Sequence, residues 1–292
     1  MLQYQSNLRQ LIKYLRNEGR SERHITKHDI IAFKRAMQDQ GRSAATVASY
    51  LTTFRMFFQF LRDINLMSEN IMNGIKYPKK DKNYKKLPLT DDQVYRLMKS
   101  INREVGSGLR DFAMINLMLL TGLRTIEVAR IRIKDIIEKY DKRMLLIKGK
   151  GRFDYSDAID LTDDAWEPIN DYLVTRDLDD ESYMFISGSN RNKGKPLTAR
   201  RIGVIVTGYL QKAAIKSKYY TAHSLRHTAA MKYLEIHNED YEKLRIFMRH
   251  ESASTTQVYT HMFREKIKQS KNQYNIANAY PALKKLENET AK

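Results

Sequence analysis

Three histidines, an arginine and a tyrosine lie at suggestive separations between Thr221 and His261. His223 and Arg226 are three residues apart, so a helix would place the two side chains next to each other. Neighbouring basic groups favour an anion, and arginine suits phosphate because its planar guanidinium contacts two oxygens and stays charged. The stretch predicts a phosphate-directed site. Spacing alone does not show that Tyr259 attacks the phosphate, since the chain has 18 tyrosines.

A metal site made from His223, His227 and His250 is an alternative interpretation. A helix places the first two on one face, but Arg226 lies between them and no carboxylate has matching spacing. The Gly-Lys-Gly at 149–151 lacks the spacing of a phosphate-binding loop, and no serine stands in a nucleophile elbow. The phosphate-directed site remains the better interpretation, and we expect neither a metal nor a cofactor.

Charge is the strongest signal in the composition. The 292 residues include 52 Lys and Arg against 34 Asp and Glu, which gives a formal net charge of +18. The excess is denser in residues 1–86, which hold 17 of the basic and 7 of the acidic residues. This balance favours a polyanionic partner. Double-stranded DNA fits better than a membrane surface, because no basic amphipathic anchor is present.

The composition also excludes several classes of protein. No apolar run approaches the roughly 20 residues that span a bilayer, and residues 1–10 lack the apolar core of a signal peptide. Cysteine is absent, which excludes disulfides and thiolate zinc sites. Hydrophobic residues make up 42% of the chain, which is enough for a core. We therefore expect a cytoplasmic globular protein.

Residues 1–75 are predicted to form a compact bundle of four helices. Apolar residues recur at helical spacing, Gly19 and Gly41 stand where helices would end, and Thr26 is a candidate N-cap. The fourth helix is a short segment from about Ser68 to Ile75. Four basic residues of this domain are candidate DNA contacts: Lys34, Arg35, Arg42 and Arg55.

Residues 76–88 carry six lysines and two prolines, Pro78 and Pro88, and predict an extended basic linker. A second domain, mixed α and β, is expected over residues 89–278, followed by a tail over 279–292. Two strands, Arg143–Lys148 and about Phe153–Leu161, form a hairpin around Gly149-Lys150-Gly151. Helices are expected at about Leu109–Thr121, Thr125–Arg130, Asp163–Thr175, Thr198–Ile215, His223–Glu235, Tyr241–Met248, Thr255–Met262 and Arg264–Asn278. The chain is thus mainly α-helical, with a small β-sheet in its carboxyl-terminal domain.

Four motifs, in their order and separation, resemble those of the tyrosine recombinase family, which includes phage integrases and Xer-type enzymes. They are Thr121-Gly-Leu-Arg-Thr-Ile-Glu-Val, the hairpin IKGKGRFDYSDAIDL, His223-Ser-Leu-Arg-His-Thr, and Arg249-His250 followed nine residues later by Tyr259 in STTQVYTH. The hairpin matches the β2–β3 turn of that family. The similarity covers about residues 88–278, and the helical amino-terminal part is similar to the family's core-binding domain, a DNA clamp.

The resemblance implies a role for each matching residue. Arg124 and Arg226 would hold the non-bridging oxygens of the scissile phosphate and stabilise its transition state, and Tyr259 would attack the phosphorus. The products would be a 3′-phosphotyrosyl intermediate and a free 5′ hydroxyl. A covalent phosphodiester conserves bond energy, so the 5′ hydroxyl of a partner strand could reverse the step without ATP.

Three further roles follow from the same resemblance. His223 would take part in proton transfer with the nucleophile, and His250 would donate a hydrogen bond to the phosphate. Lys150 would protonate the departing 5′ oxygen, and it is favoured over Lys148 because glycines on both sides place it at the turn. We expect His227 to be structural.

The chain departs from the family at one place in these motifs, because Arg249 stands where glycine is usual. Glu127, one turn after Arg124, is expected to support that arginine rather than to contact the substrate. The family also implies that the segment from Phe263 docks on a neighbouring protomer.

The implied function is site-specific DNA recombination by a homotetramer on paired sites, with accessory DNA-bending proteins as further candidate partners. Integration or excision of a mobile element and resolution of chromosome or plasmid dimers would use the same residues. Two alternatives are a non-catalytic DNA-binding regulator with this fold and an enzyme with type IB topoisomerase-like activity.

Overall fold

A computed structural model describes most of the chain, namely residues 2–79, 86–104, 106–149, 154–215 and 219–271. The chain divides into two compact units, Met1–Asn83 and Tyr84–Lys292. The predicted fold class is confirmed, since the described residues are mainly helical and include a three-stranded antiparallel sheet in the second unit. Lys150 and the predicted tail at 279–292 lie outside the described residues. No helix in the described part is long and apolar enough to cross a membrane.

The first unit is built from three described helices, α1 (Leu2–Asn17), α2 (Lys27–Asp39) and α3 (Ala44–Asp63). The buried ring of Phe33 on α2 lies at their centre, and its edge-to-face contacts have centroid distances of 5.3–5.5 Å. The partners in these contacts are Tyr14, Tyr50 and Phe54. Such pairs add roughly 0.5–1.5 kcal/mol each beyond the burial of their area, so Tyr50 and Phe54 hold one face of α3 against the core.

The predicted fourth helix of this unit, Ser68–Ile75, is wrong, because residues 71–74 form turns instead. The side chain of Asn70 accepts a hydrogen bond of 2.9 Å from the backbone N–H of Met72, which offers the backbone an alternative to a helix. Gly74, with φ of +77°, then reverses the chain. Local bonding by asparagine and a left-handed glycine therefore decided the structure here.

Two of the four candidate DNA contacts in the first unit bind the segment that follows its turns. Lys34 Nζ donates to the carbonyl of Lys76 at 2.8 Å, and Arg55 Nη2 donates to the carbonyl of Ile75 at 3.0 Å. These two side chains fix the end of the unit in place. The other two candidates are exposed, namely Arg35 and Arg42.

The second unit is organised around α5 (Gly106–Thr121), an apolar helix that packs against the helices at Asp163–Leu173 and Ala222–Ile236. Its core includes Met114, Leu117 and Met118, which are at most 1% exposed. The other described helices of the unit are α4 (Asp91–Lys99), α6 (Thr125–Val128), α7 (Asp163–Leu173), α8 (Ala199–Lys212), α9 (Ala222–Ile236), α10 (Tyr241–Phe247) and α11 (Ala253–Lys271). The sequence predicted two segments here, Thr255–Met262 and Arg264–Asn278, but a single helix runs from Ala253 to Lys271 without a break between them.

The sheet has the order β1 (Ile136–Lys139), β2 (Lys142–Lys148) and β3 (Tyr155–Asp160), with both pairs antiparallel. The pairing of β2 with β3 confirms the predicted hairpin, but β1 was not predicted. Tyr140 and Asp141, which connect β1 to β2, both have positive φ, as the central residues of a two-residue hairpin turn require. Glycine or asparagine usually occupies such positions, so the sequence lacked the usual signal.

Gly122 follows α5 with φ of +62°, and a Cβ at this position would lie 3.1 Å from the sulfur of Met248. We predict that Gly122→Ala lowers the free energy of unfolding by at least about 1–2 kcal/mol, because a left-handed backbone is costly for alanine and the new methyl is crowded. Chemical denaturation of the full chain would measure the change.

Gly203 on α8 provides the matched control, because a Cβ there would meet nothing within 4 Å. Gly203→Ala should leave the free energy of unfolding unchanged or raise it by up to about 1 kcal/mol, since alanine favours a helix interior. Equal effects of the two substitutions would contradict the conformational argument for Gly122.

Candidate active site

Arg124 lies in the turn between α5 and α6, where Glu127 holds it. One oxygen of the buried Glu127 carboxylate accepts the Arg124 backbone N–H at 2.8 Å, and the other accepts Arg124 Nη1 at 2.6 Å. The Glu127 side chain is 1% exposed, whereas that of Arg124 is 28% exposed. Glu127 therefore supports Arg124, as predicted, and the guanidinium keeps part of its surface accessible.

Arg226, on the first half of α9, is 2% exposed and is fixed by main-chain oxygens. Its Nη1 donates to the carbonyl of Gly122, and its Nη2 donates to the carbonyl of Met248 at 2.6 Å. These bonds join the end of α5 to the end of α10. Burial, followed by the like charge of Arg124, lowers the pKa of Arg226 to about 10, so its guanidinium is charged at neutral pH.

His223 and His227 occupy successive turns of α9, with ring centroids 4.5 Å apart. His223 keeps part of its surface exposed to solvent. Surrounding protein atoms nevertheless desolvate its ring, and this desolvation, with the charges of Arg226 and Arg124, lowers the pKa of His223. His227 is buried, and desolvation and the neighbouring His223 and Arg226 lower its pKa to about 3. Both rings are therefore neutral near pH 7.

Arg249 has a left-handed backbone, with φ of +52°, and it ends α10. The N–H of Arg249 donates to the carbonyl of Ile246, and the N–H of His250 donates to that of Arg245. This is the Schellman arrangement, in which glycine is usual at the position of Arg249. A non-glycine residue costs roughly 1–2 kcal/mol there, and the left-handed turn aims His250 into the site.

The side chain of Arg249 turns back towards α6. Its Nη2 lies 3.7 Å from a Glu127 oxygen and 3.4 Å from the carbonyl of Thr121, while Nη1 donates to the carbonyl of Phe247 at 2.9 Å. Burial lowers the pKa of Arg249, and the negative charges of Glu127 and Asp157 act in the opposite direction. Glu127 thus lies between two guanidinium groups.

His250 is buried, and its Nδ1 lies 2.9 Å from Oγ1 of Thr256 on α11. Its ring is nearly parallel to that of Tyr259, with centroids 5.9 Å apart and an interplanar angle of 13°. Desolvation, together with Arg226 and other positive neighbours, lowers the pKa of His250 to about 3. Because Nδ1 is occupied by Thr256, Nε2 is the ring nitrogen of neutral His250 that is left to bind a ligand.

Tyr259, in the first half of α11, is 3% exposed and packs in a small apolar cluster of α9, α10 and α11. The ring of His227 is also close, with centroids 5.4 Å apart. Burial raises the pKa of Tyr259, whereas the positive charges of Arg226 and Arg124 lower it. Desolvation dominates, so the phenol is protonated at neutral pH.

Two cavities meet at Arg124. One, of about 750 Å³, lies between α6, α8 and α9 and also borders His223 and Arg226. The other, of about 570 Å³, also borders Arg249, His250 and Gly149. Lys150 lies outside the described residues, but Gly149, which directly precedes it, borders the second cavity. Lys148, the competing candidate, places its Nζ 4.6 Å from the ring centroid of Tyr155.

Five of the six predicted site residues are described, and the contacts above link them in one region of the second unit. In the part of the chain that the structure describes, no group of three or more His, Asp or Glu side chains is arranged to hold a metal ion. Sequence reasoning missed the structural partners of the site, Thr256 and the main-chain carbonyls of Gly122 and Met248. Neither kind of partner leaves a signal in residue type.

The family comparisons agree with this geometry. Residues 88–266 match the model of the phage integrase family, and residues 1–64 match that of the phage integrase N-terminal SAM-like domain. The chain belongs to the phage integrase family. Its predicted identity as a tyrosine recombinase is thereby confirmed.

Relatives with established names and structures extend the match to nearly the whole chain. Tyrosine recombinase XerD of Listeria monocytogenes serotype 4b (strain F2365) is 28% identical over 280 residues, which cover 93% of this chain and 91% of that protein. A post-cleavage complex of XerH recombinase with palindromic difH substrate has a TM-score of 0.73 at 21% identity, covering 92% of this chain and 78% of XerH. A lambda integrase tetramer on a Holliday junction has a TM-score of 0.63 at 17% identity, covering 87% and 70%.

The two buried histidines predict a dependence of stability on pH. His227 and His250 have a pKa of about 3 in the folded chain, against 6.5 ordinarily, so the unfolded chain binds more protons between these values. These two histidines therefore leave the free energy of unfolding at its full value above about pH 6.5. As the pH drops towards 3, the free energy of unfolding falls by up to about 1.4 kcal/mol per pH unit for each histidine. Denaturation curves between pH 7.5 and 5 would measure this slope.

His227→Gln should reduce the slope by the share of one histidine, whatever it does to stability at pH 7.5. His24→Gln, which changes an exposed histidine in the first unit, should leave the slope as it is. The buried-neutral state of His227 would be refuted by equal slopes in the wild type and in His227→Gln.

Proposed function

We propose that the protein is a site-specific DNA recombinase that cuts and rejoins strands through a 3′-phosphotyrosyl intermediate at Tyr259. Membership of the tyrosine recombinase family supports the reaction class. The observation that carries the proposal for this chain is that the Tyr259 ring lies beside those of His227 and His250, at centroid distances of 5.4 and 5.9 Å, where the charge of buried Arg226 acts on the phenol. Arg124 acts on the same phenol by its charge.

Positive charge supplied by fixed arginines suits phosphoryl transfer. In the proposed step, Arg124 and Arg226 bind the non-bridging oxygens of the scissile phosphate, where negative charge builds up in the transition state. Fixed donors in a desolvated site stabilise such charge without reorganising. The anchoring of Arg226 by two carbonyls supports this role, because it leaves the guanidinium little freedom to move.

The nucleophile has to lose a proton as it attacks. Burial holds the pKa of Tyr259 above its ordinary value of 10, so the phenolate does not accumulate at neutral pH. We propose that His223, kept neutral by desolvation of its ring and by the neighbouring arginines, accepts that proton. The phenol oxygen then forms a bond to phosphorus as the bond to the 5′ oxygen breaks.

The departing 5′ oxygen needs a proton, which we assign to Lys150 on the β2–β3 turn. The position of Gly149 at the cavity that Arg124 and His250 border supports this assignment. His250 would donate a hydrogen bond to the phosphate through Nε2, since its Nδ1 lies within hydrogen-bonding distance of Thr256. Reversal by the 5′ hydroxyl of another strand rejoins the DNA without loss of bond energy.

Double-stranded DNA is the proposed substrate, and the net charge of +18 supports it. The first unit would act as a clamp, with exposed Arg35 and Arg42 as contacts to the phosphate backbone. By analogy with the lambda integrase tetramer, we propose a homotetramer on paired sites, acting in the cytoplasm. Accessory DNA-bending proteins are further proposed partners. The recombination would serve either integration or excision of a mobile element, or resolution of chromosome or plasmid dimers.

Covalent capture tests the nucleophile. Sheared genomic DNA of the source strain is incubated with the full chain, and the fragments that stay attached after denaturation are sequenced. Wild-type protein should attach to fragments that share one sequence, through Tyr259. Tyr259→Phe should abolish attachment and leave binding to the same fragments unchanged, because only the hydroxyl is lost.

The outcomes separate the alternatives. An adduct that persists in Tyr259→Phe would refute the assignment of the nucleophile. Binding without any adduct in the wild type would indicate a DNA-binding regulator. Adducts spread over fragments without a shared sequence would indicate topoisomerase-like activity instead of site-specific recombination.

Replacement of Arg124 by alanine should slow cleavage of a captured duplex roughly 10²- to 10³-fold, the usual cost of a lost transition-state donor. Single-turnover formation of the adduct measures the rate. Arg103→Ala is the matched control, because it removes an exposed arginine that pairs with Asp171 elsewhere in the second unit. Near-normal cleavage by Arg124→Ala would exclude the phosphate-clamp role.

A further inference from the structure

We propose that Arg249 is a positioning residue that keeps the carboxylate of Glu127 from neutralising Arg124. The inference rests on the proposed function, since it concerns the charge that Arg124 presents to the scissile phosphate. It assigns a task to an arginine that occupies a position suited to glycine.

The backbone gives the first argument. Arg249 adopts φ of +52°, which L side chains rarely adopt, and the Schellman bonds of α10 form around it. Glycine would satisfy the same bonds without strain. The strain of an arginine here has to be offset by what its side chain does, and that side chain is 5% exposed.

The geometry around Glu127 gives the second argument. One carboxylate oxygen accepts Arg124 Nη1 at 2.6 Å, and the other accepts the Arg124 N–H at 2.8 Å while lying 3.7 Å from Arg249 Nη2. The Glu127 side chain is 1% exposed, so water screens little of its charge. A carboxylate of this kind acts on both guanidinium groups at once.

Charge balance gives the third argument. Arg124 paired with Glu127 alone would carry a net charge of zero into the site. Arg249 brings the charge of these three groups to +1. Asp157 acts on Arg249, and Arg249 acts on Arg226, so Asp157 and Arg226 belong to the same charge balance. With their charges of −1 and +1 included, the sum of the five groups is +1 with Arg249 and zero without it. Glu127 can therefore orient Arg124 through two hydrogen bonds, while Arg249 balances the negative charge that this orientation requires.

Direct contact of Arg249 with the phosphate fits the structure less well. Nη1 donates to the carbonyl of Phe247, Nη2 lies against Thr121 and Glu127, and Nε is buried and has no partner among the described residues. Although Arg249 borders the cavity, both Nη nitrogens already contact protein oxygens and Nε is buried. The arginine acts through Glu127.

The test starts from Arg249→Gly, measured by single-turnover adduct formation on the duplex captured with wild-type protein. We expect the rate to fall roughly 10-fold, the scale on which partners of an active-site ligand act. The melting temperature should not fall to match, because glycine suits φ of +52°. A rate equal to that of the wild type would overturn the proposal.

A double-mutant cycle with Glu127→Gln makes the test specific. In the wild-type background Glu127→Gln should slow cleavage, because Arg124 loses its charged partner. In the Arg249→Gly background the same change should restore part of the lost rate, because it removes the negative charge that Arg249 had balanced. Additive losses would overturn the proposal, since a merely structural arginine predicts them.

Arg245→Gln is the matched control for charge. Arg245 borders the same cavity and pairs with Glu242, so the change removes one positive charge without touching Glu127. The loss in Arg249→Gly should exceed that in Arg245→Gln, and only the former should be partly restored by Glu127→Gln. Equal losses and equal restoration would mean that total cavity charge alone matters, against the proposal.

A second readout is independent of cleavage. Inorganic sulfate, at constant ionic strength set with sodium chloride, should raise the melting temperature less in Arg249→Gly than in the wild type, and Glu127→Gln should recover the difference. Equal shifts in all variants would overturn the inference. Absence of any wild-type adduct, with the sulfate pattern intact, would instead count against the proposed function alone.

Discussion

The buried carboxylate of Glu127 is the constraint on which the candidate site depends. An anion-binding site needs cations close together in a desolvated place, and such cations repel one another. Glu127 binds the backbone and the guanidinium of Arg124 and lies beside Arg249, so it lets like charges share one region. The cost is that the same carboxylate competes with the phosphate for positive charge. Much of the local structure serves to balance these two effects.

Two effects shift the pKa of Tyr259, the proposed nucleophile, in opposite directions. Tyr259 is a member of an apolar cluster with residues such as Met248 and Met262, and burial there raises its pKa. Arg226 lowers the same pKa from the polar side. The tyrosine thus lies at the border between a small core and a charged cavity. Packing determines where the hydroxyl lies, and the arginines determine its reactivity.

Helical periodicity predicted a mainly helical fold, and the resemblance of four motifs to the tyrosine recombinase family implied a set of candidate residues that the structure brings together where it describes them. Other features depended on backbone conformations that residue type signals poorly. The turn at Tyr140 and Asp141 and the left-handed Arg249 both lack glycine. The side chain of Asn70 accepts the backbone N–H of Met72, and turns form where periodicity predicted a helix. Arg249 and Glu127 are 122 positions apart in the sequence, so residue spacing gives no sign that their side chains meet.

The anchoring of Arg226 has a consequence for how such proteins diverge. Its two acceptors are carbonyl oxygens of Gly122 and Met248, which every amino acid possesses. Mutation at 248 changes a side chain and leaves the acceptor in place, whereas the left-handed turn makes position 122 far less permissive. A guanidinium socket made of main chain can therefore persist while the side chains around it change.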